Sequence, residues 1–473
     1  MINRVFSPEE MDEQRRSTRL VKEYNEALSR ELGKELYVYV LTLGCQQNEA
    51  DSEKIIGMAE AMGYVKTEDP ERADLIMVNT CAVREHAESR ALSFIGSFKK
   101  LKEANSALLI GVCGCMVSQD HRIEQIKRSY PYVDFVFGTS SLHRFPTLLY
   151  EKISKHKRVM FKTTEQDYLV AEGLPVSRQD TSHAWISIMY GCNNFCSYCI
   201  VPYVRGRERS REKDEIVKEF TELVARGYKD MTLLGQNVNS YGKDGEYGYD
   251  FADLIDELAS IGGDHRIRFM TSHPKDATHK LIDVMAKHKN IAKHFHLPMQ
   301  SGSDRILKLM NRHYDREKYL STVRYMREKI PDITITSDIM VGFPGETEED
   351  FNDTLDMLKT VEFDMIYSFI YSPRKGTPAA ESRDQIPDEV KNRRYQELLA
   401  LQGEISLSKN LPMVGGIYRV LCDGISKTDD SLYSGRTDGN KIVFFEAEPR
   451  DVGEFVDIKI ERAEAFALFG RKV

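Results

Sequence analysis

No apolar run in this chain of 473 residues approaches the ~18–20 residues that cross a bilayer, which argues against a membrane-spanning helix. Residues Met1 to Leu20 are charged and have no apolar centre, so no secretory signal is expected. An excess of basic charge is missing too. The net charge of −8 gives no whole-molecule pull toward nucleic acid and leaves that task to a local basic stripe. Low-complexity segments are absent. Hydrophobic residues at 41% and charged residues at 30% describe an ordinary globular protein, long enough for two to four domains of roughly 100–200 residues. The expected location is cytoplasmic, where thiols stay reduced and grouped cysteines read as metal ligands rather than disulfides.

The most informative stretch is Gly191-Cys192-Asn193-Asn194-Phe195-Cys196-Ser197-Tyr198-Cys199-Ile200. Three cysteines at this spacing can turn inward around one metal cluster. Iron–sulfur clusters suit thiolate and normally take four such ligands. Three therefore leave one iron open, as an open position marks a catalytic zinc site. A zinc knot would want a fourth Cys or His at short range, and the next histidine is His265. The loop follows the strand-like run Trp185–Tyr190, which suits a site at the carboxyl end of a barrel strand.

Read in order, residues 1–34 are polar and helix-prone, a helical N-terminal extension. Residues 35–151 alternate apolar runs with helices: Leu36–Leu43, Ala73–Asn79, Ala107–Val112 and Asp134–Phe137 are the expected strands. This pattern implies a flavodoxin-like parallel sheet, whose ligands gather beyond the carboxyl strand ends. Cys45, Cys81 and Cys115 each sit just past such an end, so a second three-cysteine cluster is expected. A lone buried thiol is the commoner fate of any one cysteine, and Cys113, within its strand, is read that way. Residues 152–180 read as a linker. Six further strand–helix units across 181–406 suggest an incomplete (βα)6 TIM barrel with its site at the C-terminal rim. From 407 to 473 short alternating runs suggest a small antiparallel β-barrel, a shape that often binds oligonucleotides. Its 10 basic and 11 acidic residues are nearly balanced, so only its shape points to RNA.

Around these cysteines lie further candidates. Tyr203, Arg205, Arg207 and Arg209 could bind phosphates and stack a base beside the site; a solvated helix entrance is the alternative. Gly235, Gln236, Asn237 and Asn239 follow the second barrel strand, Ser301 the fourth, and Ser337 and Asp338 lie in the fifth. Glu346 sits in the Gly342–Thr347 loop, where glycines let backbone approach a ligand. Each loop could merely cap a helix; their common address at the rim is what raises them. His296 reads as a satisfied core histidine and Cys422 as an inert thiol.

The cysteine loop resembles the radical S-adenosylmethionine (SAM) superfamily. Taken with LGCQQNEADSE, NTCAVRE, CGCMVSQ, GQNVNSY, LPMQSGSD and GFPGET, the chain resembles the methylthiotransferase family over nearly all of residues 36–472. PYVRGRERSR and GQNVNSY look like the branch acting on tRNA rather than on a ribosomal protein, and the terminal barrel looks like a TRAM domain. The resemblance implies a transferase with two [4Fe-4S] clusters. One, at Cys192, Cys196 and Cys199, binds SAM with Tyr198 and the rim residues nearby; the auxiliary one, at Cys45, Cys81 and Cys115, carries sulfur. Reductive cleavage of one SAM would give a 5′-deoxyadenosyl radical, and a second would methylate the sulfur. The product would be a methylthio group on carbon 2 of N6-isopentenyladenosine in the tRNA anticodon stem-loop, with no catalytic residue beyond the clusters. A flavodoxin or ferredoxin would supply electrons. Threonylcarbamoyladenosine as target and a non-catalytic iron–sulfur and RNA-binding module are the alternatives.

Overall fold

Strands that read as unbroken apolar runs are expected inside sheets covered on both faces, and residues 35–160 build such a sheet. In this computed structural model residues 6–83, 85–164 and 168–473 are described. Residues 1–5 of the expected extension, Arg84 and 165–167 of the expected linker lie outside them. The chain divides into two compact units. The first is Met1–Gln179 with Met189–Asn193 and Cys199–Arg211; the second is Asp180–Ile188, Asn194–Tyr198 and Glu212–Val473.

In the first unit α1 (Pro8–Leu32) is followed by β1 (Tyr37–Leu43), α2 (Gln46–Ala61), β2 (Val65–Lys66), β3 (Leu75–Thr80), α3 (Glu85–Ser97) and α4 (Lys99–Ala104). Then come β4 (Leu109–Gly114), α5 (Asp120–Ser129), β5 (Phe135–Phe137), α6 (Phe145–Lys155) and β6 (Val159–Met160). All pairings are parallel, in the order β2-β1-β3-β4-β5-β6. The first five strands follow the flavodoxin-like order. Alternate residues of β3 serve opposite faces: Leu75 and Met77 join one core, with Phe135 and Phe145, while Ile76 and Val78 join the other, with Ile95 and Ile123. Two strands escape the sequence pattern because each has only two residues. One of them, β6, comes from the segment read as linker. The N-terminal helix is no appendage. Ser7 and Glu10 form its capping box, Val21 is fully buried, and the Asn25 side-chain amide donates to the Met62 carbonyl at 2.9 Å.

Next in the chain are β7 (His183–Ser187), β8 (Met189–Tyr190), α7 (Val201–Arg205), β9 (Arg209–Ser210), α8 (Lys213–Ala225) and β10 (Asp230–Leu234). After them come α9 (Phe251–Ala259), β11 (Arg266–Phe269), α10 (His279–Lys287), β12 (His294–His296), α11 (Asp304–Leu309) and α12 (Arg316–Lys329). The series closes with β13 (Thr334–Val341), α13 (Glu348–Val361), β14 (Met365–Ile370) and α14 (Asp388–Asn410). In the second unit β7, β10 and β11 pair in parallel, as do β12, β13 and β14. A parallel bridge between Ile267 and Ile291 carries the arc onward from β11. Six parallel strands with helices between them make the expected partial barrel. The run Trp185–Tyr190, expected as one strand, is two. The Ile188 amide donates to the Leu234 carbonyl, after which β8 turns away to pair antiparallel with β9 in the first unit. Ser210 therefore belongs to a strand.

The chain ends in β15 (Ile417–Ile425), β16 (Tyr433–Thr437), β17 (Ile442–Glu446), β18 (Phe455–Ala463) and β19 (Leu468–Lys472). They close a barrel in the order β15-β16-β17-β19-β18. It is antiparallel apart from β17 and β19, which run side by side. Its β16–β17 turn is bound by the central strands. The Arg268 guanidinium donates to the Thr437 carbonyl at 2.8 Å and that of Arg266 to the same oxygen at 3.3 Å; the Lys293 amide donates to Asp438 Oδ2.

Gly114 is where β4 turns toward Cys115, with φ of +99°. A Cβ there would lie 2.3 Å from the Thr80 carbonyl oxygen. Gly114→Ala should lower stability by roughly 1–3 kcal/mol from backbone strain alone, read as an earlier chemical-denaturation midpoint.

Candidate iron–sulfur and nucleoside site

Strand register puts the first three cysteines on one rim. Leu43 pairs with Thr80, and Thr80 with Gly114. Cys81 and Cys115 follow directly, and Cys45 stands two residues past Leu43. The strand ends are also cross-linked by side chains. Asn48 donates to Asn79 Oδ1 at 3.0 Å and to the Thr80 carbonyl, while Asn79 donates back to the Asn48 carbonyl at 2.9 Å. The Cys115 amide donates to the Thr80 carbonyl at 2.8 Å, and the Thr80 hydroxyl to the Cys113 carbonyl at 2.6 Å.

Burial pushes the Cys115 thiol up to about 12; Arg205 pulls it down, and Cys81 and Cys45 push it up again. Cys81 and Cys45 thus lie within electrostatic reach of Cys115. Cys113, also pushed up by burial, joins the apolar core of the sheet, as expected of it. Cys115 instead packs with Ala82, Ile200 and Val204. Ile200 is the residue after Cys199, so the end of the cysteine loop reaches the first trio.

Arg205, read from the sequence as an RNA contact, is buried. Its Nε donates to Cys115 Sγ at 3.2 Å and its Nη2 to Asp51 Oδ2 at 3.0 Å. Burial opposes its charge, but Cys115, Asp51 and Cys45 outweigh that and hold it protonated. Arg209 is buried as well, donating to the Arg205 and Arg207 carbonyls and lying 5.2 Å from the Tyr168 ring. The stripe therefore does not face solvent as a whole. Only Arg207 and Tyr203 are exposed, Tyr203 at 47%. Alternating Arg and non-Arg positions gave no sign of this, because the deciding partners, Asp51 and Cys115, are remote in sequence.

On the second unit, Cys196 is buried and takes a hydrogen bond from Arg312 Nη1 at 3.4 Å. Cys192 and Cys199, which belong to the first unit, are buried and half-buried, and both are free thiols. The Tyr198 ring lies edge-on to Phe343, 6.5 Å between centroids. At the rim, Asn237 donates to Asp276 at 2.9 Å, and Asn239 Oδ1 accepts from the His273 amide. Four buried polar atoms there have no hydrogen-bond partner among the described residues: Asn237 Oδ1, Asn239 Nδ2, Ser272 Oγ and His273 Nε2. His273 Nδ1 accepts from the Lys275 amide, and burial, then Arg312 and Lys275, lower its pKa, so the neutral ring points an Nε2–H donor at nothing. Thr271 and Gln300, at the ends of β11 and β12, hold φ of +69° and +66°. For a β-branched threonine that is strain of the kind binding sites store. Gly235 is buried and Gln236 half-buried beside these atoms in sequence. The sequence reading missed Ser272, His273 and Arg312, whose signal is geometric.

Other rim candidates are bound internally. Ser337 Oγ accepts from the Met299 amide and donates to the Asp338 carbonyl; Ser301 Oγ accepts from the Ser303 amide. Asp338 is half-buried, 3.6 Å from His296 Nε2. The Glu346 carboxylate, expected at the cofactor, instead accepts from the Gly342 amide and from Arg394 at 2.7 Å, clamping its own loop. His296 is satisfied by Thr336, and Cys422 lies in the terminal barrel's core.

Among the described residues no three His, Cys, Asp or Glu side chains are grouped to hold one metal ion. A polynuclear cluster presents separate irons at its corners and takes more widely spaced thiolates. Reduced cysteines in threes, with a buried guanidinium aimed at one sulfur of each set, fit that group.

The chain matches the Radical SAM superfamily over residues 186–358, the uncharacterized protein family UPF0004 over 37–138 and the TRAM domain over 412–473. It is 52% identical over 441 residues to tRNA-2-methylthio-N(6)-dimethylallyladenosine synthase of Caldicellulosiruptor saccharolyticus, covering 93% of each chain. The synthase of the same name from Acetivibrio thermocellus is 49% identical, over 99% of this chain and 97% of that one. The chain belongs to this family of methylthio synthases. Among solved structures, the radical SAM methyltransferase TsrM of Kitasatospora setae, with cobalamin and a [4Fe-4S] cluster bound, has a TM-score of 0.53 at 14% identity, over 73% of this chain and 77% of that one. That likeness concerns the fold alone.

In the metal-free chain at pH 8, Cys115 and Cys113 stay protonated because burial holds both thiols far above that pH. Brief anaerobic alkylation followed by peptide mass spectrometry should label the exposed Cys45 and spare Cys113 and Cys115.

Proposed function

We propose that this member of the synthase family adds a methylthio group to carbon 2 of N6-isopentenyladenosine, beside the anticodon of tRNA, in the cytoplasm. The observation that carries the reading is the rim of Cys45, Cys81 and Cys115, bound through Arg205 to the segment that continues from Cys199. Cys192, Cys196 and Cys199 would hold a [4Fe-4S] cluster with an open iron for SAM, and the first trio an auxiliary cluster that carries the sulfur. When bound, these groups supply one-electron chemistry and a sulfur donor, which an unactivated aromatic C–H demands.

The protein's own residues bind and position. Asn237, Asn239, Ser272 and His273 offer unpaired donors and acceptors to the amino, carboxylate or ribose groups of SAM, with Gly235 and Gln236 beside them. Ser301, Ser337 and Asp338 shape the adjoining rim, and Tyr198 packs the cysteine loop on Phe343. Tyr203 and Arg207 are the exposed residues suited to base stacking and phosphate contact. A base in an anticodon loop is already largely unpaired, so splaying it costs little. Residues 35–151, 181–406 and 407–473 would serve as the auxiliary-cluster, radical and RNA-binding domains, with a flavodoxin or ferredoxin as electron donor.

Nucleoside mass spectrometry of tRNA from cells with and without the gene tests this. Loss of the methylthio group with N6-isopentenyladenosine accumulating is expected; loss from threonylcarbamoyladenosine instead would overturn the target. Cys→Ala at 192, 196 or 199 should abolish SAM cleavage and leave tRNA binding intact. His273→Ala should weaken SAM binding by about 1–3 kcal/mol in equilibrium dialysis of the reconstituted protein, as expected for a buried hydrogen bond lost to a charged group.

A further inference from the structure

Each cysteine trio contains one sulfur that accepts a hydrogen bond from a buried arginine, but the two arginines differ in their company. Arg205 shares its charge with the Asp51 carboxylate at 3.0 Å, so the pair brings almost no net charge to Cys115. Arg312 has no such partner among the described residues. Its Nη1 donates to Cys196 Sγ at 3.4 Å, its Nη2 to the Pro298 carbonyl at 2.8 Å and its Nε to the Tyr314 hydroxyl at 3.4 Å, with the Tyr314 ring 5.4 Å away. The groups it touches are neutral apart from the sulfur, and only 5% of the residue is exposed. A buried charge left uncompensated is costly unless something anionic repays it.

The potential of an iron–sulfur cluster responds to nearby charge and to hydrogen bonds on its sulfurs. Reduction adds one electron, and a fixed positive charge favours the more negative product. We propose that Arg312 and Arg205 are positioning residues that set the two clusters' potentials apart. Arg312 raises that of the Cys192–Cys196–Cys199 centre by its full charge. Arg205 acts on the other centre by hydrogen bonding alone, its charge cancelled by Asp51. The centre that must pass an electron to SAM is thereby the easier one to charge. This rests on the two-cluster reading above.

The test uses the full-length chain, reconstituted anaerobically with iron and sulfide, without SAM, and titrated with dithionite under EPR detection. Each centre is viewed alone by replacing the other trio with alanine. Arg312→Gln should lower the potential of its centre, so that the ratio of reduced to oxidised cluster at fixed poise falls about tenfold, ~59 mV for one electron. Arg312→Lys, which keeps the charge, should restore most of it. Arg205→Gln should shift the auxiliary centre less than Arg312→Gln shifts its own, and Asp51→Asn should raise the auxiliary potential. Unchanged potentials in Arg312→Gln and Asp51→Asn would overturn the inference. So would a loss of SAM affinity in Arg312→Gln at unchanged potential, which would make Arg312 a ligand for the SAM carboxylate instead. If Arg312→Gln takes up no iron, the Lys variant and Asp51→Asn decide. Failure of the unaltered chain to hold a cluster at either trio would overturn the two-cluster reading itself.

Discussion

The pairing of Asn48 with Asn79 is the constraint on which the sulfur site depends. Parallel strands fix register along their length, but the loops beyond their ends are free to splay. Two carboxamides, each donating to the other residue's main or side chain, join the residues after Cys45 to those before Cys81. Thr80 extends the tie to the segment bearing Cys113 and Cys115. All of these groups are buried, so each hydrogen bond lost would leave an unpaired polar atom inside the sheet. The strand ends that carry these three cysteines, remote in sequence, are tied together by amides.

The same economy of buried polarity recurs at the barrel rim with the opposite sign. There Asn237, Asn239, Ser272 and His273 keep atoms unpaired among the described residues, and Thr271 keeps a strained backbone, beside loops otherwise well bonded. Native interiors tolerate few such atoms. They stand at the ends of β10 and β11, whereas the side chains of Ser337, Ser301 and Glu346 are bonded within the protein.

Much of the fold was legible from sequence because its long strands are apolar and its helices carry ordinary signals; Asp250, Thr278, Asp315 and Thr347 all cap helices. Strands of two residues, such as Val65–Lys66 and Val159–Met160, offer no period to read. That Cys45, Cys81 and Cys115 lie just past neighbouring strand ends was legible because each follows an apolar run. The arginines were not. Arg205, Arg207 and Arg209 look alike in a row, yet one touches Cys115 and Asp51, one is exposed and one binds its neighbours' carbonyls. Only tertiary contacts separate them. The bond between Glu346 and Arg394 was hidden for the same reason, since the two lie 48 residues apart.

The grip of Arg266 and Arg268 on the β16–β17 turn has a consequence for the C-terminal barrel. These guanidinium groups are buried, and their acceptors include main-chain oxygens of residues 436–438. The barrel is therefore not a bead on a tether but is bonded through this turn to β11 and to the residue before β12. A chain cut short ahead of Leu407 would strand two cations around the single carboxylate of Asp230. Any activity lost by such a fragment would report a loosened arc as much as a missing grip on RNA.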